Sequence, residues 1–172
     1  MAATLVIEDG TAASASANSY VTVAEVSAFC ENFGLTSWAA LATNDQITAI
    51  IRGCAFVDSE YNFKGVKYQY DDPMEWPRCG VYDDIDIEPE NEQFFQEIPA
   101  GLKKACCRAA YEESLSPGVL QSNLTSNIKR EKIDVLETEY FANQATKTIY
   151  RTIEGFLKGL LANKATANVL RV

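Results

Sequence analysis

The residues with the clearest chemical potential are Lys129, Arg130 and Lys132, followed at a short distance by Tyr140 and Phe141. Cations that track phosphate, interleaved with rings on which bases stack, are the makings of a single-strand nucleic-acid strip. On a strand, however, Lys129 shares a face with Glu131, while Arg130 and Lys132 share the other with Asp134. Two bases in line are thin for nucleic acid and ample for pairing with acidic residues of a neighbouring subunit.

Other chemistries meet stronger objections. The chain contains no histidine, which removes Ser-His and Cys-His dyads, the commonest zinc ligand and the usual general base near neutral pH. Adjacent carboxylates such as Asp71 and Asp72, or Glu112 and Glu113, diverge by about 100° on a helix and cannot flank a substrate as acid and base. The glycines Gly53, Gly65 and Gly80 are isolated and make no phosphate loop. Asp83, Asp84, Asp86 and Glu88 have a superficial calcium-loop spacing. Counting from Asp84, the sixth position is Pro89 and the twelfth Phe95, where an EF-hand needs Gly and Glu. An enzyme is therefore the weakest reading, and no cofactor or metal is expected.

The five cysteines, Cys30, Cys54, Cys79, Cys106 and Cys107, are odd in number and form no CxxC pair. They read as free buried thiols of a reducing cytoplasm. The N-terminal MAATLVIEDG lacks the basic and apolar regions of a signal peptide. No run approaches the roughly 18 apolar residues of a membrane span.

The 172 residues, 47% hydrophobic with a mean hydropathy of -0.13, suit one domain with one core. The net charge of -9 is unevenly spread: residues 1–100 hold 17 acids and 4 bases, and residues 101–172 hold 7 acids and 11 bases. Such a body is a poor ligand for polyphosphate, because affinity scales with the phosphates that Lys and Arg neutralise.

The elements that would position these residues are mainly α: a small helical bundle with a β-hairpin and a long ordered loop. Residues 4–7 read as a short strand or arm. Thr22 and Glu25 have the capping-box form, opening a helix whose Val23, Val26, Phe29, Cys30 and Phe33 share a face and which Gly34 closes. Ser37 to Leu41 reads as a helical turn with Trp38 in the core. A second helix starts near Thr43 or Asn44, with Gln46 suited to a second capping box, and its stripe is Ile47, Ile50, Ile51, Cys54, Val57 and Tyr61. Pro99 suits the first turn of a third helix, whose narrow Ala and Cys face favours close packing. A strand pair is expected at about Asn127–Ile133 and Val135–Phe141. A last helix is expected at about Ile149–Asn163, with Ile153, Phe156, Leu157, Leu160 and Leu161 as its stripe. The helical core thus covers about 20–62 and 98–163, with the hairpin at 127–141. The loop 63–97 is anchored by Trp76, Pro77 and Arg78: the ring buried, Pro fixing the turn, and Arg meeting a carboxylate or carbonyl. Its later part, from Asp83 to Glu97, carries seven acids and no base. A tail, 162–172, has two bases, Lys164 and Arg171, and no acid.

Several short motifs run in a specific order: Ile7-Glu-Asp-Gly10, Asn18-Ser-Tyr-Val21, Trp38-Ala-Ala-Leu41, Phe63-Lys-Gly65, Trp76-Pro-Arg78, Ile98-Pro99, and Ile128-Lys-Arg-Glu-Lys-Ile133 with Glu137-Thr-Glu-Tyr140. In this the whole chain resembles a family of phage proteins labelled DnaT-like single-strand DNA-binding proteins, encoded among head and tail genes and related to head–tail connector proteins. It departs from them at Asp134, where a Gly is common, and in a longer acidic stretch after Tyr82. The resemblance implies a structural connector, or adaptor, of a tailed bacteriophage virion, assembled in the bacterial cytoplasm. That protein would form a ring of twelve copies under the portal, meet a tail protein below, and let double-stranded DNA pass without binding it. In that setting Asp83, Asp84, Asp86, Glu88, Glu90 and Glu92 would repel the passing DNA. The hairpin would join subunits, and Lys164 and Arg171 would meet the portal. The alternative is a single-strand DNA-binding protein acting through Lys129, Arg130, Lys132 and Tyr140.

Overall fold

A computed structural model describes residues 3–10, 14–81, 97–120, 130–133, 136–139 and 150–162. The fold is mainly α, and the described residues form four α-helices, a 3-10 turn and two short antiparallel ribbons. Helix α1 spans Val23–Asn32, and its first turn carries the capping box in full: the Glu25 amide donates to Thr22 Oγ1 and the Thr22 amide donates to the Glu25 carboxylate. Its far end is a Schellman turn, with the Gly34 amide donating to Glu31 O and the Leu35 amide to Cys30 O. Gly34 takes a positive φ of 67° there, a conformation open to glycine at little cost. Phe33, expected on the buried face, is the cap residue and stays 56% exposed, although its ring lies 4.5 Å from that of Phe29 and 6.4 Å from that of Phe156.

A 3-10 turn, Thr36–Ala40, seats Trp38 in the core. Helix α2 spans Thr43–Glu60, with Ala42 at the cap and no side-chain cap bond. Gln46 does not form the expected capping box. It lies buried one position further in, and its amide donates to Trp38 O, tying the turn to the helix. Residues 62–81, expected as irregular loop, contain a ribbon of β1 (Val66–Lys67) and β2 (Arg78–Cys79).

Helix α3, Ala100–Leu115, follows Pro99, which sits at the cap rather than inside. It packs on α2 at very short range: a Cβ on Gly53 would stand 2.6 Å from the Ala110 amide nitrogen. Cys54, Ala105, Cys106, Ala109 and Ala110 line the surrounding contact and are fully buried, so small side chains set the separation of the two helices. Glu113 is buried at the end of α3 and accepts the amides of Gly118 and Leu120, while its neighbour Glu112 pairs with Arg108. The two carboxylates do not converge.

Strands β3 (Arg130–Ile133) and β4 (Leu136–Glu139) form the expected antiparallel hairpin. Helix α4 is shorter than expected, Arg151–Leu157. The apolar period continues through Leu160 and Leu161, but the chain leaves the helix to pair with residues 62–64. Leu161 bridges Phe63, the Lys64 amide donates to Leu160 O, and the Ala162 amide donates to Asn62 O. At the other end, residues 4–7 form an extended arm bridging Ser19 through Ile7. Glu8 is buried behind it and accepts the amides of Gly10 and Ser14. Among the described residues, no helix is long and apolar enough to cross a membrane.

Candidate nucleic-acid interface

The two ribbons carry the candidate side chains. In β3–β4, Arg130 pairs in register with Glu139, and Lys132 with Glu137. Each strand base is therefore in register with an acid across the ladder. The sequence reading weighed the charges along one strand, where Asp134 dilutes them. The signal for the cross-strand pairs was Glu137 and Glu139 at a spacing of two. Lys129 and Tyr140 lie outside the described residues, as do the acidic positions Asp83, Asp84, Asp86, Glu88, Glu90 and Glu92 and the tail residues Lys164 and Arg171.

The β1–β2 ribbon is held from beneath. Arg78 is buried, and its guanidinium donates to the carbonyls of Lys64 (2.8 Å), Gly65 (2.9 Å), Phe63 (3.5 Å) and Glu75 (3.3 Å) and to the Glu75 carboxylate (2.7 Å). Five donors on a planar fork suit this task, which a point charge could not perform. Trp76 is fully buried against the Phe63 ring, edge to face at 5.7 Å, and the peptide linking it to Pro77 is cis. The Trp76 amide donates to Tyr20 Oη, whose hydroxyl in turn donates to Asp58 at 2.8 Å. The Glu75 amide also donates to Asp58. Tyr20 and Asp58, which sequence reasoning did not single out as a pair, thus connect α2 to the loop carrying the ribbon.

Burial pushes the Asp58 carboxyl up to about 6, against the opposing pull of its hydrogen bonds from Tyr20 and Glu75, with the Glu75 charge adding to the rise and Lys67 offsetting it. The folded state then binds a proton that the unfolded chain, titrating near the ordinary aspartate value, does not. This contribution to stability is present below about pH 4 and is lost as pH rises through about 6. Relative to Asp58→Asn, the wild-type protein is expected to gain on the order of 2 kcal/mol between pH 7 and pH 4. Urea melts of both proteins across that range check this; parallel pH profiles would remove Asp58 as the titrating group.

Outward from this support, Val66, Tyr68 and Tyr70 are 68%, 45% and 95% exposed. Lys67, between Val66 and Tyr68 in sequence, has its ammonium donating to Asp72 O at 2.6 Å and standing 3.5 Å from the Glu75 carboxylate. The five cysteines are free, and among the described residues no group of His, Cys, Asp and Glu could hold a metal ion.

A family model described as "Putative DnaT-like ssDNA binding protein" matches residues 3–172. The chain belongs to this family. No curated protein and no solved structure matches it. The DnaT-like membership corrects the expectation of a head–tail connector: the matched family is described by single-strand DNA binding, and nothing found names a virion, portal or connector part. The ring under the portal, the DNA-repelling role of the acidic segment and the portal contact of the tail were inferred from that connector role and lose their basis with it. For a DnaT-like protein, the ribbons and their cations are the features to weigh.

Proposed function

We propose that this protein binds single-stranded DNA and catalyses no reaction. The observation that carries the reading is the family match along residues 3–172. Arg130 and Lys132 of β3, with Lys129 and Tyr140 flanking in sequence, are the phosphate and base contacts in this reading. The charge balance sets its character. A chain of net charge -9, whose strand cations are in register with Glu137 and Glu139, neutralises few phosphates. Its affinity is therefore modest and its salt dependence shallow, with a log–log slope of about -1 to -2 for two or three contacts.

Fluorescence anisotropy with a labelled oligothymidylate at several salt concentrations tests this. Charge reversal in Arg130→Glu/Lys132→Glu should abolish binding at moderate salt and flatten the slope. Glu137→Gln/Glu139→Gln should tighten binding, because two acids in register with the cations are then neutral. Absence of binding at the lowest salt would overturn the reading altogether.

A further inference from the structure

The β1–β2 ribbon presents an arrangement that the charge pattern does not explain. Val66 pairs with Cys79 and Lys67 with Arg78, and the Tyr68 amide donates to Pro77 O. Arg78 grips the carbonyls of residues 63–65 below it. Gly65 has a φ of 70°, and a Cβ there would stand 2.1 Å from Cys79 O, so the two strands meet too closely for any other residue. The ribbon is thus fixed on both strands, yet the side chains it holds outward contribute little to the core.

Tyr70 exposes nearly its whole side chain, Tyr68 about half, and Val66 two thirds. Exposed tyrosines lose little conformational entropy on binding and offer a flat π-face with a polar tip. Two of the four bases in the first hundred residues, Lys64 and Lys67, flank Val66 within this segment. Lys67 is already engaged with Asp72 O and Glu75, and Asp71 is exposed beside Tyr70. The net charge is too small to attract phosphate strongly, whereas stacking needs no charge: every base has a π-face.

We propose that Tyr68 and Tyr70, in the exposed turn that follows β1, form a base-stacking platform for single-stranded DNA next to the β1–β2 ribbon. The inference rests on the single-strand reading above and adds to it a second contact, separate from the hairpin cations. It also assigns the two regions different work, with phosphate attraction at β3–β4 and stacking next to β1–β2.

The test is oligothymidylate binding by wild type, Tyr68→Ala/Tyr70→Ala and Tyr68→Phe/Tyr70→Phe over a salt series. The alanine pair should weaken binding about tenfold or more at every salt, leaving the slope unchanged. The phenylalanine pair should bind within about twofold of wild type, because the rings remain. Equal binding by wild type and the alanine pair would overturn the platform while leaving the single-strand reading intact. So would an alanine pair that binds as wild type but changes mass in light scattering, which would mark the patch as a contact between copies. If wild type itself fails to bind, both readings fall.

Discussion

Arg78→Ala is expected to destabilise the protein by about 3–5 kcal/mol, the largest effect of any single side chain outside the apolar core. The removed guanidinium serves four carbonyls and one carboxylate, and only about a tenth of its side chain is exposed. With it gone, those carbonyls are left without their donor where water has little access, and Glu75 keeps only Lys67 at 3.5 Å. Arg78→Lys should recover little, because an ammonium cannot span acceptors on residues 63, 64, 65 and 75 at once. Urea denaturation gives the size of the effect, and near-ultraviolet circular dichroism of the Trp76 environment shows whether the ribbon loosens. A loss below about 1 kcal/mol would mean that the clamp is not what holds the ribbon.

Gly53→Val is expected to be nearly as damaging, at about 3 kcal/mol or more, and Gly53→Ala is expected to destabilise as well. Alanine would ordinarily gain about 1 kcal/mol over glycine inside a helix. Here its Cβ would meet three backbone atoms of Ala109 and Ala110 at 2.6–2.9 Å. Backbone cannot rotate out of the way, so α2 and α3 would have to move apart along their whole contact. Gly155→Ala in α4 is the control: nothing lies within 4 Å of its Cβ position, and the substitution should be neutral or slightly stabilising. Thermal melts of the three variants decide the matter. A Gly53→Ala protein as stable as wild type would show that the helices are not held at this separation.

Much of the local structure was legible because it depends on neighbours in sequence. Thr22 with Glu25, and Gly34 two residues past the last turn of α1, are signals whose partners lie within five residues. The Ala and Cys face of α3 followed from periodicity, and Trp38 in a short turn and the strand pair were also expected from sequence. The contacts of Gln46 and the end of α4 were not. Gln46 was expected to bond within the first turn of α2, and instead its amide donates to Trp38 O, eight residues back. Leu160 and Leu161 fit a helical stripe equally well, but residues 62–64 offered them strand-like hydrogen bonds. Phe33 fell at the right spacing for burial and does meet the Phe29 and Phe156 rings, yet at the end of the helix more than half of it stays exposed.

The candidate site divides in the same way. The cations Lys129, Arg130 and Lys132 stand out in sequence as a cluster of charge. Their pairing with Glu137 and Glu139 is set by ladder register, which a single strand does not reveal. Tyr68 and Tyr70 lie among eight tyrosines, and nothing local distinguishes them from Tyr20, which is fully buried. The sequence by itself determined the start of α1, the mainly helical class, the lack of histidine chemistry and the opposed charge of the two halves. Only the tertiary structure decided that Tyr20 and Asp58 join α2 to the loop and that Arg78 supports the ribbon. It alone also turned two tyrosines outward. The first two depend on contacts 13 to 56 residues apart in sequence, and burial is a property of the assembled core rather than of any residue's own type.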